Sequence, residues 1–136
     1  MSTNYYFLTK NKDIVTSNGL SYEITDTPDW GYWVHIGKRS HGWKPIFQAH
    51  DGIHSLEDLL AILSSPDVTI YNEYMETLTF EELKEALIDW NKDNPEAISH
   101  IEYQKAERLK NPNSFYWHCE YVVDNEGYEF LVGDFC

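Results

Sequence analysis

Basic residues are scarce in this chain, which has 10 Lys and Arg against 23 Asp and Glu and a formal net charge of −13. A field of this sign disfavours direct binding to nucleic acid or to an anionic membrane, because both carry the same charge. It favours a basic partner, and a nucleic-acid-handling protein is the specific expectation. The alternative, in which the charge serves only solubility, stays open.

Cysteine and long apolar runs are also lacking. Cys119 and Cys136 are too few to form a disulfide framework in 136 residues. No apolar run reaches the roughly 18 residues of a membrane span, and no charged-then-apolar leader precedes "MSTNYYFLTK". We therefore expect a soluble, cytoplasmic protein. Hydrophobic residues make up 42% of the chain, which is enough for one domain over residues 1–136.

The patterning predicts an α+β fold, in which an antiparallel sheet of short hairpins is accompanied by about three helices. Aromatic and β-branched runs predict strands in the N-terminal half, and the last two of them form a hairpin around the loop 38–42. Pro45 cannot donate to a ladder and therefore predicts an edge position for the second strand of that hairpin. The predicted strands of this half are 4–10, 21–27, 31–37 and 43–50.

Two helices have clear start signals. Ser55 precedes the helix predicted at 56–63, and Thr79 with Glu82 forms a capping box before the helix at 80–92. A third helix is predicted at 95–110, with a thin apolar stripe of Ile98, Ile101 and Leu109. A strand is predicted at 67–74, and a closing hairpin at 114–135 with its turn at Asp124–Gly127.

Four of the six histidines fall within 20 residues: His35, His41, His50 and His54. Pairing around a turn at His41–Gly42 places His35 opposite Gln48, with His50 diagonal to it on the same face. Diagonal Cβ atoms lie about 7–8 Å apart, so the two imidazoles could share a structural zinc ion. His54 and Asp51 are the nearest further ligands. The alternative is a half-exposed hairpin whose surface carries histidines.

Catalytic signals are missing from the sequence. No Gly-rich phosphate loop, nucleophile elbow or spaced pair of helical carboxylates is present. We therefore expect a protein that is not an enzyme. The alternative enzyme is a small metal-dependent hydrolase using His35 and His50, which would need an open coordination position where a structural site is closed.

The segment "HIGKRSHGW", His35–Trp43, resembles a motif of small phage and prophage proteins. Those relatives begin with a short aromatic strand like Thr3–Tyr6, and a second histidine closes the strand after their motif. Segments similar to Ile53–Leu56, Asn72–Tyr74 and Thr79–Glu82 follow in them, and the ending Glu126–Phe135 is also similar. The likeness covers most of the chain, although only the first motif is specific.

The resemblance implies a zinc site, because many relatives carry a Cys-x-x-Cys before the motif. His35 matches their first histidine, and His50 takes the place of the second with a two-residue shift. The cysteine pair is replaced by "SYEITDTPDW", so Asp26, Asp29 or Cys136 would have to complete the ligand set.

In size and charge the chain is also similar to type II anti-CRISPR proteins, one of which contains a metal. This resemblance implies an inhibitor that binds a guide-loaded type II CRISPR effector nuclease in the host cytoplasm and blocks the loading of target DNA. A phage regulatory or assembly protein with another partner is the remaining alternative.

Overall fold

A computed structural model describes residues 2–110 and 120–133 of the chain. The alternating strands of the sequence build one eight-stranded sheet in the order β6-β5-β1-β3-β4-β8-β7, with β2 paired to β3. All the pairings are antiparallel except β4 with β8. The strands are β1 (Ser2–Thr9), β2 (Glu23–Thr25), β3 (Gly31–Ser40), β4 (Ile46–Gln48), β5 (Val68–Asn72), β6 (Thr77–Leu78), β7 (Glu120–Val123) and β8 (Glu129–Val132).

The long strand β3 organises the sheet. One of its edges pairs with β1 over its length, whereas the other pairs with β2 near its start and with β4 near its end. The ladder partners on that second edge stop at Trp33 and resume at Gly37, which leaves a gap at residues 34–36. This gap becomes the centre of the candidate site.

The helices are α1 (Lys12–Ser17), α2 (Leu56–Leu63), α3 (Phe80–Lys84), α4 (Trp90–Asp93) and α5 (His100–Lys110), with a π-helical segment, Glu85–Asp89, between α3 and α4. The predicted caps are confirmed: the Ser55 side chain accepts from the Asp58 amide, and Thr79 with Glu82 forms a capping box. A mixed arrangement of helices and an antiparallel-dominated sheet confirms the α+β prediction.

The main core lies between one face of the sheet and the helices α2 and α3 with its π-helical extension. Phe7, Val34, Phe47 and Phe130 point into it from four strands, each with no more than 1% of its surface exposed. Leucines of the helices, among them Leu59, Leu83 and Leu87, close it from the other side.

The opposite face of the sheet is covered at one end by α5. The buried Glu129 carboxylate of β8 accepts hydrogen bonds from the Ser99 hydroxyl and, at 2.9 Å, from the His100 amide. A carboxylate in this position stabilises the start of a helix. Trp43 stacks on the His100 ring and meets Tyr103 edge-on, so aromatic contacts fix the first turn of α5.

Three sequence predictions require correction. β4 is an interior strand between β3 and β8, because Pro45 stands just before its first residue and blocks no ladder bond. The third helix starts at His100, not near Pro95. Its predicted stripe is also wrong, because Ile98 and Leu109 are exposed and Gln104 is the residue that the helix buries.

The short helix α1 was not predicted, although Asn11 caps it by accepting from the Asp13 amide. The first strand of the predicted C-terminal hairpin is described only from Glu120 onward, whereas its turn at Asp124–Gly127 and the strand β8 are present. Both cysteines, the predicted ligand Cys136 among them, lie outside the described residues.

Candidate binding cleft on the open sheet face

His50 closes the gap on the second edge of β3. Its Nδ1 accepts a hydrogen bond of 3.0 Å from the Ser21 amide just before β2, which leaves the proton on Nε2. Nε2 lies 3.1 Å from the His35 carbonyl oxygen and donates to it. In the gap between β2 and β4, the imidazole therefore takes the place of a ladder hydrogen bond to β3. Only 6% of His50 is exposed, and this burial lowers the pKa of the ring.

His35 lies on the outer face of β3 and contacts two amide side chains. Its Nδ1 is 3.1 Å from Gln48 Oε1, and its Nε2 is 3.0 Å from Asn4 Oδ1. The amide nitrogen of Gln48 donates to the carbonyls of Leu131 and Gly133, which fixes its oxygen toward His35. Burial lowers the pKa of His35 and outweighs the opposing effect of the Gln48 hydrogen bond.

The predicted partner of His35 across the hairpin is Gln48. The observed ladder between β3 and β4 contains the pairs Gly37–Phe47 and Lys38–Ile46 and stops before His35. The register between β1 and β3 shifts between Tyr5 and Tyr6, so Ile36 has no partner in β1. Beyond this irregularity the side chains of His35 and Gln48 meet on the outer face.

The two rings do not fit a shared metal ion in this arrangement. All four ring nitrogens face protein hydrogen-bonding groups, and the accepting nitrogen of His50 is taken by a backbone amide. A zinc ion would have to displace these hydrogen bonds. Within residues 2–110 and 120–133, no group of three or more His, Cys, Asp or Glu side chains is placed to hold a metal ion. The zinc site stays a prediction.

The other two predicted ligands lie beside this pair. Asp51 and His54 are exposed in the segment after β4, and both line the same cleft as His35 and His50. His41 is exposed in the turn that follows β3. The structure thus brings the four predicted metal residues to one cleft, although their contacts there are hydrogen bonds.

The cleft itself encloses about 690 Å³ on the outer face of the sheet. Its floor is aromatic: Tyr6 stacks on Trp33 with ring centroids 4.9 Å apart, and Tyr6 also contacts the His35 ring at 5.1 Å. Its lining also includes Tyr22 and Glu23 from the β2 side and Asp51 and His54 from the segment after β4. None of the described lining residues is a lysine or an arginine.

Electrostatics at this cleft are negative. Burial raises the pKa of the Tyr6 hydroxyl, and the carboxylates of Glu73 and Glu23 raise it further. The two buried imidazoles carry lowered pKa values and therefore add no positive charge near neutral pH. Such a cleft can accept a flat cation or a neutral aromatic group, and it repels anions.

The aromatic floor was not predicted, although the sequence contains its signal. Tyr6 and Trp33 alternate with the core residues Phe7 and Val34, so both must face away from the core. The pattern does not show that β1 and β3 are neighbours. It is the pairing of these two strands that brings the rings into contact.

Comparison of the sequence with models of protein families gives no match. Searches of curated proteins and of solved structures also find none. In the described parts of the chain no helix is long and apolar enough to span a membrane.

Proposed function

We propose that this protein is a non-enzymatic, phage-derived inhibitor that binds a basic, nucleic-acid-handling protein. The partner proposed is a guide-loaded type II CRISPR effector nuclease, as the resemblance to type II anti-CRISPR proteins in size and charge implies. Binding occupies the positively charged channel that otherwise takes the nucleic acid, so target DNA cannot load. The proposal assigns no catalytic residue.

The observation that carries the proposal is a row of carboxylates on the helix after β6. Glu81, Glu85, Asp89 and Asp93 follow one another at intervals of four residues through α3, the π-helical segment and α4. We call these four residues the acidic row. Three of them are exposed and Asp89 is half-buried. The ion pairs between described residues, Lys10–Asp29 and Lys110–Glu107, involve no member of the row.

Such a row is unfavourable for the folded protein alone. Like charges four residues apart destabilise a helix by about 0.2–0.5 kcal/mol per pair. Solubility needs no such alignment, because scattered charges serve it equally well. A basic surface of a partner would relieve the repulsion, and the field of the row would steer that partner during association.

The test is target-DNA cleavage by a guide-loaded type II effector with this protein added before or after the DNA. We expect inhibition when the protein is added first and little inhibition when DNA is already loaded. Neutralising the row with Glu81→Gln, Glu85→Gln and Asp89→Asn should weaken inhibition by about tenfold or more.

The matched control removes three charges elsewhere, with Asp13→Asn, Glu57→Gln and Glu102→Gln at exposed positions. This variant has the same net charge as the row variant and should keep most of the inhibition. Equal loss in both variants would reject the row as the contact. Full cleavage with the unaltered protein, for effectors of several hosts, would reject the proposed function.

A further inference from the structure

We propose that the cleft on the open sheet face binds the guanidinium group of an arginine side chain presented by the partner. The inference concerns a surface other than the acidic row. It rests on the proposed function only for the basic character of the partner, because arginine binding itself can be measured with no partner present.

The floor of the cleft is built from aromatic rings. Tyr6 and Trp33 stack on each other with an interplanar angle of 20°, and Tyr71 extends the aromatic strip with its centroid 5.5 Å from that of Trp33. Each ring covers part of its neighbour, and both Tyr6 and Trp33 are only half-buried. A guanidinium group is attracted by the quadrupole of the ring surface that stays exposed.

Carboxylates stand at the edges of this floor. Glu23 is the direct ladder partner of Trp33, so its side chain rises from the same face of the sheet. Asp51 lines the cleft from the segment after β4. Both side chains belong to exposed residues, and neither is in an ion pair with another described residue. A guanidinium over the rings could donate paired hydrogen bonds to a carboxylate at either edge.

The lining residues of the cleft include three histidines but no described lysine or arginine. The positive charge of Lys38 acts on His35 from outside this lining. Burial lowers the pKa of both His35 and His50, which disfavours their charged forms. A cation brought by a partner would therefore meet carboxylates and no lysine or arginine in the lining itself.

An arginine fits these features better than the alternatives. A lysine ammonium lacks the planar fork and is more strongly hydrated, so it gains less from stacked rings. Single-stranded RNA also stacks on aromatic sheet faces, but its phosphates would meet Glu23, Asp51 and the field of a protein of charge −13. A neutral nucleoside remains the competitor that the test must include.

The first experiment titrates the full chain with N-acetyl-arginine amide and follows the indole and backbone NMR signals of Trp33 and Tyr6. N-acetyl-citrulline amide serves as the neutral isostere, N-acetyl-lysine amide as the other cation, and uridine as the nucleoside. We expect millimolar binding of the arginine compound at the cleft, with citrulline about tenfold weaker or undetectable and lysine weaker than arginine. Equal binding of citrulline, or stronger binding of uridine, would overturn the proposal.

The second experiment uses paired variants. Glu23→Gln with Asp51→Asn should reduce arginine binding by about tenfold, whereas Glu81→Gln with Glu85→Gln, which removes the same charge from the acidic row, should leave it unchanged. If both double variants lose arginine binding equally, the effect comes from net charge alone and the site is rejected.

Trp33→Leu should abolish the binding while far-UV circular dichroism stays unchanged. If that variant does not fold, the paired carboxylate variants still decide the question. Because none of these measurements contains an effector, failure here leaves the proposed function standing, and failure of the effector assay leaves the arginine site standing.

Discussion

His50 is the residue whose role depends most on its exact place in the sheet. Both of its ring nitrogens are hydrogen-bonded to backbone groups. The imidazole thereby connects Ser21, just before β2, to His35 in β3. Among the described residues, no strand pairs with this edge of β3 at residues 34–36. A neutral imidazole suits the position because one nitrogen accepts and the other donates.

Replacing His50 by leucine should lower the free energy of unfolding by about 1–3 kcal/mol, because the partly buried hydrogen bonds from the Ser21 amide and to the His35 carbonyl are both lost. The measurement is urea unfolding of the full chain, with His54→Leu as control. His54 lies exposed in the same cleft, so its replacement should change stability by less than about 0.5 kcal/mol.

Measurements with a chelator distinguish hydrogen bonding by His50 from zinc binding by the same residue. If His50 acts by hydrogen bonding, the difference between the variants persists in EDTA. Loss of the difference in EDTA, with the unaltered protein falling to the level of His50→Leu, would contradict the hydrogen-bonding role and support the zinc prediction.

Stability should also depend on pH through three histidines, of which His50 is buried and His35 and His100 are half-buried. Burial lowers the pKa values of His35, His50 and His100 below 6.5 in the folded protein. Below pH 6.5 the unfolded chain therefore binds more protons than the folded chain, and the free energy of unfolding decreases. Well above 6.5, where these histidines are neutral in both the folded and the unfolded chain, they contribute no further pH dependence.

In His50→Leu the slope below pH 6.5 should be smaller than in the unaltered protein, by at most about 1.4 kcal/mol per pH unit. Urea unfolding at pH values on both sides of 6.5 measures it. An unchanged slope would show that His50 titrates normally in the folded chain.

At the scale of elements, the helix after β6 is interrupted by a π-helical turn. The π-helical turn bonds the Trp90 amide to the Glu85 carbonyl. The neighbouring carbonyl of Ala86 accepts a bond of 2.8 Å from Arg39 Nη1 in β3. The guanidinium also lies 4.8 Å from the centre of the Trp90 ring. Arg39 therefore links the sheet to the π-helical segment.

Replacing Arg39 by leucine should cost about 1–3 kcal/mol of stability through loss of the carbonyl bond and the cation–π contact. Arg39→Lys should recover only part, since an ammonium cannot both reach the carbonyl and lie flat on the ring. Hydrogen exchange of the amides of residues 85–93 should become faster in Arg39→Leu. Exchange that is unchanged there, or equally fast in the exposed Lys92→Gln control, would contradict this role.

The helices at 56–63 and 80–92 could be predicted because their start signals are local. Ser55, Thr79 and Glu82 act on amides three residues away, and that distance is fixed by helix geometry. The π-helical turn could not be predicted in the same way. Its contact with the sheet is made by Arg39, which is 47 residues away from Ala86 in sequence.

The pairing of β4 was harder to predict for the same reason. Its parallel partner β8 lies more than 80 residues later, and the irregularity at Ile36 shifts the register of β3 by one residue. The candidate site depends on both the pairing of β4 with β8 and the irregularity at Ile36. The sequence predicted that His35 and His50 would share a face, but their hydrogen-bond partners Asn4 and Ser21 come from segments that pattern alone cannot place.

At the scale of the whole molecule, the charge of −13 is the dominant property. The acidic row and the cleft carry part of the acidic residues on two surfaces that differ in kind. The row is a plain electrostatic surface, whereas the cleft combines two carboxylates with stacked rings. We expect the row to govern the rate of association with a basic partner and the cleft to govern the lifetime of the complex.

This division predicts different salt dependences for the two sets of variants. Neutralising the acidic row should lower the association rate constant at low salt and flatten its decrease with ionic strength. Glu23→Gln with Asp51→Asn, which changes the cleft, should mainly raise the dissociation rate. Surface plasmon resonance on an immobilised effector over a salt series measures both, and identical effects of the two variant sets would contradict the division.

The most direct test of the proposed function is the affinity of the purified full chain for a guide-loaded type II effector at physiological salt, with and without bound target DNA. The account predicts submicromolar binding to the DNA-free effector and binding weaker by about tenfold or more once DNA fills the channel. Equal affinity in both states would contradict the blocking of DNA loading. Absence of binding at micromolar concentration to effectors from several hosts would contradict the proposed partner.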